Sequence, residues 1–171
     1  MKQDCRKNGG KREMILGIGV DTVDIDRIRR MLGEEPRLRK LSDGAAIQKS
    51  AAGTAASENA AAPEEPAFFR RVFSERERAA APQGKMRVEY YAARFAVKEA
   101  VFKAVAHLLP EKHFDLREVE SLHDQDGRPY VAMDGPMEKI CSGAGVAKIH
   151  ISVTTEGHYA TAFAVAEDGR F

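Results

Sequence analysis

The sequence predicts an α+β fold, an antiparallel sheet with a long helix packed on it. Two periodicities carry that prediction. Met14–Asp21, Val146–Thr154 and Tyr159–Val165 alternate side chains with the period of a strand, and only Glu156-Gly157 turns the chain between the last two. Arg87–Leu109 instead spaces its apolar residues with the period of a helix and stops before Pro110.

In the first strand, Leu16, Ile18 and Val20 share one face, and Ile15, Gly17, Gly19 and Asp21 the other. A bare backbone leading to a carboxylate suits a place where something approaches closely. A tight packing site, with Asp21 ending the strand, explains the pattern too. Thr22 or Asp24 caps a following helix whose Ile25, Ile28 and Leu32 make an inward stripe. Gly17-Ile-Gly19 lacks the third glycine of a dinucleotide fingerprint, which excludes that reading.

From Ser42 to Pro66 the only large aliphatic residue is Ile47, among Ala, Ser, Gly, Glu and Pro. Such a stretch buries too little apolar surface to offset its ordering entropy, so a disordered insertion is expected there. Phe69, Val72 and Phe73 form a short apolar patch, and Ser74-x-x-Glu77 reads as a capping box. Pro82-Gln-Gly84 breaks the chain before the long helix. Val119–His123 and Tyr130–Met133 flank Asp124-Gln-Asp-Gly127, a hairpin turn signal, and the rest reads as strand-rich.

With 171 residues, 43% hydrophobic and 31% charged, the chain fits one domain over 14–171. No apolar run approaches the roughly 20 residues of a membrane span. Met1–Glu13 is polar and basic and reads as a disordered extension, with Met14 a natural start. Cys5 and Cys141 share no metal or disulfide spacing. A net charge of +1 argues against general nucleic-acid affinity.

The long helix carries polar residues that packing alone does not require. Phe95, Val97, Val101, Phe102, Val105, Leu108 and Leu109 fill an apolar arc, with Lys98 projecting from inside it. Glu99 and Lys103 lie one turn apart at its rim beside Ala96, Ala100 and Ala104. Small residues admit a ligand or another backbone, and a carboxylate beside amines suits a metal–phosphate site. A solvated i,i+4 Glu–Lys pair is the simpler alternative.

Together, Gly17-Ile-Gly-Val-Asp21 with Ile25, Arg27 and Ile28, Phe73-Ser-Glu-Arg-Glu77, Arg94-Phe-Ala-Val-Lys-Glu99-Ala-Val-Phe-Lys103-Ala, Asp126-Gly-Arg-Pro-Tyr130 and His150-Ile-Ser152-Val resemble the holo-[acyl-carrier-protein] synthase family, the small 4′-phosphopantetheinyl transferases. The resemblance covers about 14–166 apart from the insertion, and the first and third motifs are the specific ones. It implies a 4′-phosphopantetheinyl transferase-like fold. The implied activity is Mg²⁺-dependent transfer of phosphopantetheine from coenzyme A to a serine of apo acyl carrier protein, in cytoplasmic fatty-acid biosynthesis.

By that resemblance Asp21 and Glu99 hold the metal and Lys103 stabilises charge at the phosphates; these three are the catalytic candidates. Lys98, Arg94, Ser152 and the turn Gly127-Arg128-Pro129 are candidate coenzyme A contacts. For Lys98 snorkelling from the core is an equal alternative, and for Arg94 solvation at the helix start. A metal-bound water or Glu77 is a candidate base for the serine. Arg27, Arg30 and Met31, in a basic stretch that continues through Arg37, Arg39 and Lys40, are the candidate carrier-protein contacts, against a plain solvated face. Homotrimers with sites between subunits are the family's usual assembly.

One position departs from the pattern. Thr155 stands where the family usually has a second histidine, three residues after the serine, with His158 just past the turn. A non-catalytic carrier-protein-binding homologue therefore stays open. So does another metal-dependent phosphoryl enzyme, such as a nucleotide hydrolase.

Overall fold

The computed structural model describes residues 14–34, 65–84 and 86–169. The extension at 1–13, most of the expected insertion, and Arg37, Arg39 and Lys40 lie outside the described residues. The chain runs β1 (Ile15–Asp24), α1 (Ile25–Met31), α2 (Ala67–Val72), α3 (Glu75–Ala79), α4 (Met86–Val105), β2 (Ser121–His123), β3 (Pro129–Val131), α5 (Gly135–Ala144), β4 (Val146–Glu156) and β5 (Tyr159–Asp168). Strands β1, β5 and β4 make one antiparallel sheet in that order, and β2 and β3 a separate hairpin. The α+β expectation holds.

The contact of α4 with the sheet fixes everything else. Ala160, Ala162, Ala164 and Ala166 of β5 line the inner face, and Ala96, Ala100 and Ala104 of α4 are fully buried against it. A Cβ on Gly17 would overlap the carbonyl of Ala104, and one on Gly19 the carbonyl of Ala100. The helix backbone thus lies almost on the strand backbone, and the alanine strip admits a backbone rather than a ligand. The large side chains of β1 and β5 are displaced outward: Ile18, Val20, Tyr159 and Phe163 are exposed on the opposite face.

The remaining core gathers at the other side of α4. Phe69 of α2, Phe73 and Tyr91 pack with ring centroids 4.7 to 5.7 Å apart. The apolar patch before Ser74 is thus part of a helix, and Ser74 and Glu77 form the expected capping box of α3. Glu65 and Pro66, the last two residues of the expected insertion, are half-buried, and Glu65 accepts from Arg78 at 2.8 Å and from the Tyr91 hydroxyl at 3.1 Å. Helix α5 replaces the strand-rich reading of 135–144. It begins with Pro136 in its first turn and ends on Gly145 at φ 70°, a left-handed cap that costs glycine least.

Candidate active site

Asp21 follows the glycines on the inner side of β1, so the close approach of α4 brings Glu99 and Lys103 to it. Lys103 Nζ donates to Asp21 Oδ1 at 2.7 Å and to the Val20 carbonyl at 2.9 Å. Asp21, Thr22, Arg27, Phe95, Glu99 and Tyr159 line an open cleft of about 420 Å³. Burial raises the pKa of Glu99 and the Asp21 charge raises it further, while Lys103 and Arg27 act in the opposite direction. Two carboxylates and a lysine that the sequence separates by some eighty residues share one site.

The donor set fits a divalent cation of the Mg²⁺ kind. Among the described residues no three His, Cys, Asp or Glu side chains converge, so the protein offers two carboxylates rather than a cage. Mg²⁺ suits that arrangement because it keeps several waters and takes ligands from substrate phosphates. Burial first, and then the Asp21 charge, push Glu99 toward its protonated form, and a cation held by the two carboxylates would offset both.

Lys98 takes neither of the positions expected of it. Its side chain is wholly buried, with Nζ 2.7 Å from Glu77 Oε2 and donating to the carbonyls of Leu116 and Val119. Burial lowers its pKa, against the pull of Glu77. It therefore presents no charge to a phosphate, and its place in the apolar arc is explained by an internal partner. Glu77 is spent in the same way: it accepts from the backbone N–H groups of Ser74 at 2.9 Å and Ser121 at 3.1 Å. A carboxylate with no exposed surface cannot reach an incoming hydroxyl, which removes Glu77 as a base.

Arg94 is not a solvated arginine. It is 5% exposed, its guanidinium lies 3.4 Å from the centroid of the Tyr90 ring, and Nη2 is 3.1 Å from His123 Nδ1. It lines a second cleft, of about 380 Å³, with Pro82, Tyr90, Leu122, His123 and Tyr130. Five residues separate it from Glu99, which places the two roughly 140° apart around α4 at ~100° per residue. Gly127, Arg128 and Pro129 lie in the hairpin that carries His123. Gly127 adopts φ 77°, and Asp124 Oδ1 accepts from Arg128 N at 2.8 Å, so the turn is locally closed.

Ser152 pairs with Phe163, which pairs with Val20, in a row on the sheet's outer face. The register sets it on the side opposite Asp21. Thr155 is exposed near the end of β4. His158 lies 3.4 Å from Asp26 and accepts from Ile25 N through its carbonyl, which ties it to α1. His150 Nε2 is 2.7 Å from Glu167. On α1, capped by the Asp24 carboxylate, Arg27 and Arg30 are exposed and Met31 packs partly on the core. Arg29 turns inward to Asp26 at 3.2 Å.

Two neighbours of Arg94 escaped the sequence reading. Tyr90 is four residues before Arg94 on one helix face, a spacing that carries the signal. His123 meets it across 29 residues, and no local pattern reveals that.

Known proteins share this fold and resemble this sequence. A holo-[acyl-carrier-protein] synthase of Anaeromyxobacter dehalogenans is 32% identical over 154 residues, 90% of this chain and 97% of that protein. One of Vibrio campbellii is 29% identical over 90% of this chain and 98% of its own length. The crystal structure of holo-[acyl-carrier-protein] synthase from Neisseria meningitidis is 28% identical, covers 91% of this chain and all of its own, and superposes with a TM-score of 0.63. The Bacillus anthracis synthase, solved with coenzyme A (3′,5′-ADP), shares the fold at 24% identity and a TM-score of 0.60 over 91% of this chain and 99% of its own. The model of one family matches residues 17–164, nearly the whole described domain, and by that match the chain belongs to the 4′-phosphopantetheinyl transferase superfamily.

Proposed function

We propose that this chain transfers 4′-phosphopantetheine from coenzyme A to a serine hydroxyl of apo acyl carrier protein and releases adenosine 3′,5′-bisphosphate. The serine oxygen forms a bond to the pantetheine-side phosphorus, the pyrophosphate P–O bond breaks, and the nucleotide phosphate leaves with the electron pair. The observation that carries the reading is that Asp21 and Glu99 line one open cleft, with Lys103 paired to Asp21, in a member of this superfamily.

Asp21 and Glu99 are the residues that would hold Mg²⁺, which when bound neutralises the pyrophosphate and makes the nucleotide a better leaving group. Lys103 supplies a fixed positive charge beside them; its ammonium, half exposed and 2.7 Å from Asp21, can turn to a phosphate oxygen. Arg27 at the cleft's edge adds a second cation.

Arg94 and the Gly127-Arg128-Pro129 turn suit the nucleotide end of coenzyme A. The Arg94 cleft offers aromatic faces in Tyr90 and Tyr130 beside a guanidinium. Because Arg94 and Glu99 lie on different sides of α4, a homotrimer is the assembly in which one chain's Arg94 cleft would complete a neighbour's Asp21 cleft. Exposed Ile18, Val20, Tyr159 and Phe163 give the sheet an apolar face for that contact, and Ser152 lies within it. Arg27, Arg30 and Met31 would receive the acidic carrier protein. Coenzyme A and apo carrier protein are cytoplasmic substrates, which puts the reaction there, in lipid biosynthesis. Among the described residues no helix is long and apolar enough to cross a membrane.

Intact-mass spectrometry of apo acyl carrier protein incubated with the chain, coenzyme A and Mg²⁺ tests the reading. A phosphopantetheine increment that disappears with EDTA and in Asp21→Ala/Glu99→Ala is the expected result. A carrier that binds without gaining mass would replace the transferase with a non-catalytic homologue and implicate Thr155.

A further inference from the structure

Arg94 and His123 meet where α4 passes the β2–β3 hairpin. A guanidinium carries five N–H groups, accepts nothing, and stays protonated in proteins. His123 Nδ1, 3.1 Å from Arg94 Nη2, must therefore be the acceptor, with the imidazole proton on Nε2. Arg94 Nε is buried with no acceptor among the described residues. Its guanidinium is thus held by Tyr90, through the ring face and the phenol, on one side and by the imidazole on the other. His123 is exposed, so a proton from solvent reaches it without unfolding.

We propose that His123 is a positioning residue for substrate binding: its bare Nδ1 aims Arg94 into the cleft shared with Pro82, Leu122 and Tyr130, and protonation of His123 withdraws that hold. This rests on the reading of the cleft as the site of the nucleotide end of coenzyme A. Once protonated, Nδ1 turns an N–H toward another N–H, and two cations face each other in a half-enclosed site. Arg94 and Tyr90 face the imidazole from α4, Tyr130 from β3 and Asp124 from its own turn. Burial raises the Tyr90 pKa, so that phenol stays neutral while imidazole titrates. Burial first, and then Arg94, hold the His123 pKa below the ordinary imidazole range, with Asp124 opposing, so the positioned form is the resting one at neutral pH.

Calorimetric titration of the full chain with adenosine 3′,5′-bisphosphate, from about pH 8 to about pH 5.5, tests this in the wild type, His123→Asn and Arg94→Met. The asparagine amide oxygen can accept from Arg94 but does not titrate. The ligand's own phosphates titrate near roughly pH 6, so every variant shows some slope and the ratio of wild type to His123→Asn is the readout. That ratio is expected near unity at the alkaline end, with wild-type affinity about tenfold weaker at the acid end, the scale of one lost hydrogen bond to a charged group. Superimposable profiles would overturn the role of His123. If Arg94→Met binds as tightly as the wild type at the alkaline end, the nucleotide is not held in this cleft. The site assignment then fails, and the role of His123 fails with its premise.

Discussion

Glu77 Oε2 and Lys98 Nζ meet at 2.7 Å with neither side chain exposed to solvent, so a charge pair sits in the core of α3 and α4. The pair works because both carboxylate oxygens and all three ammonium protons find partners: Glu77 closes the α3 cap and receives Ser121 N, and Lys98 satisfies two carbonyls of the 116–119 segment beside Glu77. Lys98→Met removes one partner and strands a buried carboxylate, a loss of about 3–5 kcal/mol. Combining it with Glu77→Gln removes the stranded charge and should recover part of that loss in urea denaturation. A single variant as stable as the wild type would show that the pair contributes little.

The two glycines of β1 set the distance between the elements that carry Asp21 and Glu99. Gly19→Ala places a methyl group against the Ala100 carbonyl, and neither backbone can give way while β1 stays paired with β5. The cost should reach or exceed the ~1–3 kcal/mol of ordinary overpacking, because the obstacle is main chain. A thermal midpoint within a degree or so of wild type would mean that α4 slides freely over the strand.

Glu99 couples stability to function. Its folded-state pKa lies above the ordinary value, so the folded chain holds a proton that the unfolded chain has released. Stability from this group therefore falls as pH rises from the ordinary glutamate range through the raised folded pKa. Glu99→Gln should unfold at a higher temperature than the wild type at neutral pH while losing turnover. Mg²⁺ alone should raise the wild-type midpoint and leave the variant's unchanged. A variant that is less stable at neutral pH would contradict the strain assigned to Glu99.

Much of this was legible in the residues because it depends on local periodicity. Strand parity put Gly17, Gly19 and Asp21 on one face, and i,i+4 spacing put Glu99 beside Lys103, so the cleft followed once α4 crossed β1. The outward turn of Phe163 and Val20 was not legible: apolar alternation says which residues share a face, and only the helix backbone against the glycines makes that face the outer one. What Lys98 and Arg94 bind inside the fold was not legible for a related reason. Their partners Glu77 and His123 lie 21 and 29 positions away, beyond any helical or strand repeat. Helix α5 packs Met137, Ile140, Cys141 and Ala144 against the core, a helical i, i+3, i+4, i+7 stripe that was legible in the residues and passed over.

The exposed arginines of α1 divide by position. Arg27 lines the Glu99 cleft, so Arg27→Glu should disturb metal and coenzyme A as well as the carrier protein. Arg30 is exposed and does not line that cleft. Arg30→Glu should raise KM for the carrier protein on the order of tenfold at low salt, with KM for coenzyme A unchanged and the effect fading as salt screens it. Equal change in both constants would remove α1 as the docking helix.

The proposed homotrimer makes the strongest demand on the sheet. Phe163 stands between Val20 and Ser152 on the outer face and is 53% exposed in the single chain, so an acidic residue there loses only its cross-strand contacts and no core packing. At a subunit interface the same carboxylate would be buried without a partner, at a cost of several kcal/mol per chain. Phe163→Asp should therefore keep the wild-type circular dichroism and thermal transition of the folded chain, yet sediment at the mass of one chain where the wild type sediments at that of three. Turnover should be lost with the assembly, since the Arg94 cleft and the Asp21 cleft would no longer meet. A wild type that sediments as one chain and still modifies carrier protein would mean that α4 completes the site within a single subunit.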